Sequence, residues 1–313
     1  MLDGFQFIHG ALFFNIAMAI CSFLMCHEFY KAMEEKGFKP IKIFGYLCTL
    51  FLIPIGVVQT YTLMMICASL IPLIVIVGLS ITVISRMKYN IVDVAITLFG
   101  AIYTILMCAF LSATRAMPLG VFLIFYIFCG AWFSDIFAYL IGRKIGKHKF
   151  STISPKKSIE GCIAGVIGSI VFVVGYSAIL NNIDLIGFEK SSEKISIVVK
   201  IEEDLALNKK EEIKEDIAKK EEIIEDKFAK DEEMYNILKD RFFTNYPLLI
   251  LLGIIVSVIS QIGDLAASAI KRFADIKDFS HLMPGHGGML DRFDSVLFVA
   301  PVVYYTIYII QHL

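Results

Sequence analysis

Between Ser268 and Ser295 the chain reads SAIKRFADIKDFSHLMPGHGGMLDRFDS, a stretch in which cations, carboxylates and glycines alternate. Lys271, Arg272, Lys277, Arg292 and, when protonated, His286 stand among Asp275, Asp278, Asp291 and Asp294, with Asp264 just upstream. Between the charges lies Pro284-Gly285-His286-Gly287-Gly288, a turn whose glycines let backbone N–H groups approach a ligand closely. Cations suit phosphates, carboxylates suit Mg²⁺, and both flanks are strongly apolar. The chemistry indicated is phosphoryl or nucleotidyl transfer.

The order Ser-x-x-Lys-Arg, Lys277-Asp278, Pro-Gly-His-Gly-Gly-x-Leu-Asp-Arg-x-Asp resembles the signature of the phosphatidate cytidylyltransferase (CDP-diacylglycerol synthase) family. Ser154-Pro155-Lys156-Lys157-Ser158-Ile159-Glu160-Gly161 looks like a companion motif of that family, with Ser158 where Thr is usual. His27-Glu28-Phe29-Tyr30 is similar to a Glu-Phe-Tyr element near the family's N-terminal region, where many relatives carry an additional span. The resemblance implies the reaction of phosphatidate with CTP to give CDP-diacylglycerol and pyrophosphate. It implies CTP and phosphatidic acid as substrates, with Mg²⁺ as cofactor.

Individual residues take roles from this frame. Asp264 falls late in an apolar run, where an ionised carboxylate needs a cavity, a partner or an ion. The resemblance places an acidic metal ligand there; an ion pair with Lys271 is the plain alternative. Helical spacing puts Asp264, Ser268 and Lys271/Arg272 on one face, and Gln261 one turn earlier as a neighbour of Asp264. Asp291 and Asp294 share a face three residues apart and, with Asp264, offer oxygens for a hard cation. For Asp294 the alternative is an N-cap of the last apolar run. Lys156, Lys157, Ser268, Lys277, His286, Gly287, Gly288 and Arg292 are assigned to nucleotide and lipid phosphates, and Asp264, Asp291, Lys271 and Arg272 to catalysis. Asp135 is given to the site wall or a second cation. Headgroup anchoring is the ordinary reading of such lysines and arginines.

These residues need a membrane scaffold. Hydrophobic residues make up 57% of the 313, and mean hydropathy is +0.72. The apolar blocks are each about 20 residues long, the thickness of a bilayer. The fold class expected is all-α: a polytopic membrane protein with eight spans, at 5–26, 43–61, 63–84, 91–113, 119–141, 161–181, 246–270 and 294–312. The 7 cysteines lie in or beside apolar segments without a Cys-x-x-Cys, which argues against zinc and disulfides. Internal duplication, the mark of many transporters, is not evident.

The expected organisation is an N-terminal membrane region at 1–181 with six spans, an insertion at 182–245, and a C-terminal membrane region at 246–313. Short loops rich in Lys and Arg (27–42, 85–90, 142–160 and 271–293) fall on one side when the eight spans alternate, which is then the cytoplasmic side of the cell membrane. Both termini and the insertion fall on the other. Residues 189–241 hold about half of all the acids, no Gly or Pro, and a narrow apolar stripe through Ile213, Ile217, Ile224 and Phe228. A solvated helical insertion and a partner or homodimer arm both fit that pattern. The implied partners are the bilayer and the two substrates, with no nucleic acid.

Overall fold

The computed structural model describes residues 5–56, 76–80, 82–83, 89–151, 154, 157–183, 229, 232–282 and 287–313. Lys156 and His286 therefore lie outside the described residues, as do most of the expected third span and the arm between 184 and 228. The described residues are almost entirely helical, with one isolated antiparallel bridge between Lys149 and Ser158 and no strand.

The helices used below are α1 (Phe5–Glu35), α2 (Lys42–Thr49), α3 (Ile91–Ala116), α4 (Gly120–Ile145), α5 (Ile159–Asn182), α6 (Tyr246–Phe273) and α7 (Leu290–His312). Six of them, all but α2, contain a stretch long and apolar enough to cross a membrane. The protein is a multi-pass membrane protein. In place of the expected second span, α2 continues as a 3₁₀ turn over Leu50–Gly56, with Pro54 inside it. The rest of that span and most of the next lie outside the described residues, so six spans are seen among the described residues and the expected eight are not tested there.

Helix ends follow local chemistry. Asn90 opens α3 with a reciprocal capping box to Asp93, which satisfies orphan amides at the helix start. Ser158 accepts from the Gly161 amide to open α5, and Asn245 accepts from the Leu248 amide to open α6. No side chain next to the start of α7 caps it. Its cap comes from another helix, as described below. The helix α1 extends to Glu35, nine residues past the expected end of the first span, so Glu28 lies inside a helix rather than in a loop.

In the membrane core α4 packs along α5, α5 against α6, and α6 against α7, while α1 and α3 flank α7. The interhelical contacts are small and polar in places. Ser134 and Ser257 hydroxyls lie 2.7 Å apart, and the Gln261 amide donates to Ser257 Oγ and the Cys162 carbonyl. Gln261 therefore ties α6 to α5 instead of serving Asp264. The α1–α2 connection is fixed to α3 by the Lys39 amide on Asp93 and the Ile41 amide on Thr97.

The C-terminal end of the expected insertion packs into the bundle. Leu238, Phe242 and Phe243 are fully buried, and Phe242 meets Tyr126 of α4 edge-on. The stretch leading into α6 is thus part of the packed core.

Candidate active site

The two motif loops meet at one end of the helix bundle. Lys157, just before α5, forms an ion pair with Asp264 of α6 at 2.6 Å. This contact also brings Asp135 of α4 into the site, because its carboxylate accepts from Ser295 of α7 at 3.0 Å. Asp294, nearly buried on the first turn of α7, interacts electrostatically with both Asp264 and Asp135. The helices can approach this closely because position 263 is glycine. A Cβ there would stand 2.6 Å from the Asp294 carbonyl and 3.1 Å from Ser295 Cα. Gly263 is thus the reason Asp264 and Asp294 belong to one cluster.

Asp291 is held differently. Lys271 donates to one of its oxygens at 2.6 Å, and the amides of Phe279 and Gly288 donate to the other at 3.0 and 2.9 Å. The pair Lys271–Asp291 replaces the Lys271–Asp264 pair that helical spacing alone allows. Its atoms are well shielded, with 13% and 8% side-chain exposure, so it is stronger than a surface bridge but carries a desolvation cost.

Glu28 closes the other side of the glycine turn. Only 4% exposed, it accepts from the amides of Met289 and Leu290 at 2.9 and 2.8 Å and from the Ser280 hydroxyl at 2.5 Å. A carboxylate at a helix N-terminus is favoured by the orphan amides and by the helix dipole. Gly287 takes φ +80°, and a Cβ at Gly288 would fall 2.6 Å from a Glu28 oxygen. The Gly288 amide, which the sequence suggested for phosphate, is received by Asp291, and the next two amides by Glu28.

The remaining assigned residues surround this frame. Arg272, Lys277 and Arg292 are exposed at the same end, and Ser268 is half-buried on α6. The α7 helix starts at Leu290, so Asp294 lies within it and is not its N-cap. Glu28, Ser295 and Gly263 are the members of the frame that spacing alone did not single out. Only the Glu-Phe-Tyr element pointed toward Glu28, and without a role.

The donor chemistry fits a hard cation. Asp135, Asp264, Asp291 and Asp294 face the ammonium groups of Lys157 and Lys271, and carboxylates exceed lysines in that set. Among the described residues no three carboxylates, imidazoles or thiols already converge on one ion position.

A model of the cytidylyltransferase family matches residues 4–310. The chain belongs to that family. It is 31% identical over 226 residues to the phosphatidate cytidylyltransferase of Staphylococcus haemolyticus, and 30% identical over 226 residues to that of Staphylococcus saprophyticus. It is 31% identical over 228 residues to that of Staphylococcus aureus. Each match covers 72% of this chain and 63% of the relative. Within a cytidylyltransferase, a cluster of carboxylates paired to lysines at one end of a membrane bundle has an evident use.

Proposed function

We propose that this chain transfers CMP from CTP to phosphatidate, forming CDP-diacylglycerol and releasing pyrophosphate. The observation that carries the reading is the Lys157–Asp264 pair, which joins the two motifs at one end of an apolar bundle. A lipid with a phosphate head and a soluble nucleotide need a site open to bilayer and water together. Membership of the cytidylyltransferase family and the names of the staphylococcal relatives support the same reaction.

In this reading an oxygen of the phosphatidate phosphate attacks the α-phosphorus of CTP in line. The new P–O bond forms as the bond to the β-phosphate oxygen breaks. No general base is required, since the attacking phosphate is already ionised near neutral pH. Lys157 and Lys271 each exchange a carboxylate for a phosphate oxygen as the substrates bind, and Arg272 and Lys277 gather the polyphosphate from the exposed rim. Asp264, Asp135 and Asp294, with Asp291 once Lys271 is drawn to a phosphate, would hold a divalent cation such as Mg²⁺, which would supply positive charge against that of the pyrophosphate. Two reacting anions would thereby be held together in one orientation.

A cytoplasmic position for this end, where CTP is available, agrees with its short Lys- and Arg-rich loops. Incubating the purified protein with labelled CTP, phosphatidate and Mg²⁺ tests the reading. A CDP-lipid together with pyrophosphate is expected; a folded protein that makes neither would remove it.

A further inference from the structure

Tyr103 is a buried phenol whose hydroxyl has no hydrogen-bond partner in the structure. It is 4% exposed, and a buried polar group without a partner calls for an explanation. The residue lies in a π-turn, Ile102–Leu106, that interrupts α3. Such turns re-aim side chains and recur at functional positions. Its ring is clamped on three sides: by Phe29, next to Glu28; by Phe99, one turn earlier; and by Phe298, one turn past Asp294. A ring so held presents its hydroxyl in a fixed direction at little entropic cost. Phe298, which the Tyr103 ring meets edge-on, stands four residues after Asp294 on the same face of α7, so the phenol is a neighbour of that carboxylate.

We infer that Tyr103 is a positioning residue for Asp294: when the site is loaded, its hydroxyl donates to the Asp294 carboxylate and sets that group's orientation. The inference rests on the proposed cytidylyltransferase site and goes beyond it by naming a residue on α3. In the structure one Asp294 oxygen accepts from the adjacent Ser295 amide, and the phenol makes no hydrogen bond. A donor held by a rigid ring would fix the carboxylate without competing for the cation.

Tyr103→Phe tests this, because it removes one oxygen and keeps the ring. Thermal unfolding in detergent with EDTA reads the unloaded state. The variant should match or exceed the parent there, since no bond is lost and a desolvated hydroxyl is removed. With Mg²⁺ added, the parent should gain stability and the variant should gain less. The Mg²⁺ concentration for half-maximal turnover should rise on the order of tenfold. Tyr103→Trp is a less conservative control that should lower the melting temperature in EDTA as well. A lower melting temperature in EDTA for Tyr103→Phe would mean that the hydroxyl already has a structural bond, and would overturn the inference. So would equal Mg²⁺ responses in the two proteins, or a parent that Mg²⁺ does not stabilise. Mg²⁺ stabilisation without CDP-lipid synthesis would instead sink the proposed reaction alone, and the comparison of the two proteins would still be readable.

Discussion

Glu28 receives the amide of Leu290 at 2.8 Å, across 262 residues of chain. The first helix of the protein thereby caps the last one. Since α7 carries Asp291 and Asp294, the placement of those carboxylates depends on a residue at the other end of the sequence.

Replacing Glu28 with Ala should therefore cost stability and activity together. The loss of an acceptor for two amides and a hydroxyl, with the amides left buried, is worth roughly 3 kcal/mol. Glu28→Gln keeps the shape and one good acceptor and should cost less. Chemical or thermal unfolding in detergent gives the ordering, and a Glu28→Ala protein as stable as the parent would show that the cap is dispensable.

Gly288→Ala places a Cβ 2.6 and 2.7 Å from the two Glu28 oxygens, so the turn or the carboxylate must shift. Turnover should fall at least tenfold. Shortening the opposing side chain with Glu28→Asp should recover part of the loss in the double variant, although Glu28→Asp alone is harmful. Additive losses would rule out the steric explanation.

The Lys157–Asp264 pair is partly exposed, at 19% and 32% of the side chains, but the Lys157 ammonium nitrogen itself is buried. Asp264→Asn keeps an acceptor for it and should cost roughly 1–3 kcal/mol of unfolding free energy. Asp264→Asn should nevertheless lower turnover by a hundredfold or more, because the charge is needed where phosphates react. A folded Asp264→Asn protein that keeps its turnover would make the pair a structural bridge and not part of the chemistry.

How much of this was visible in the sequence varies by residue. Asp264 stood out because a carboxylate inside an apolar run demands a reason, and its presence in the site follows from hydropathy. The choice of partner did not, since an i, i+7 lysine on the same helix and a lysine from a distant loop are equivalent on paper. The structure chose the loop lysine, and gave Lys271 to Asp291. Glu28 sits in an apolar helix whose end was placed too early, so its burial was hidden by a boundary. Tyr103 reads as one more aromatic in an apolar run. What distinguishes it is the lack of a partner for its hydroxyl, a fact of three dimensions.

The limits of the charged insertion teach the same point. Its acids and lysines mark a region unlike the bundle, yet Leu238, Phe242 and Phe243, inside the expected bounds 182–245, are core residues. Replacing 191–228 with a short flexible linker should leave CMP transfer within a few-fold of the parent. A deletion carried through 243 should unfold the protein, since it removes two fully buried aromatic side chains worth about 3–5 kcal/mol each. Equal tolerance of both deletions, read by monodispersity in detergent and by turnover, would contradict the packing at 238–243.

The central claim is that the carboxylates at the shared end of α4, α6 and α7 serve transfer of CMP to a lipid phosphate. The measurement that bears on it most directly is product analysis with the purified parent and Asp264→Asn proteins, each supplied with labelled CTP, phosphatidate and Mg²⁺. The parent should yield labelled CDP-lipid with one pyrophosphate per lipid formed, and the folded variant should yield almost none. Equal yields from the two proteins, or no CDP-lipid from a folded parent, would contradict it.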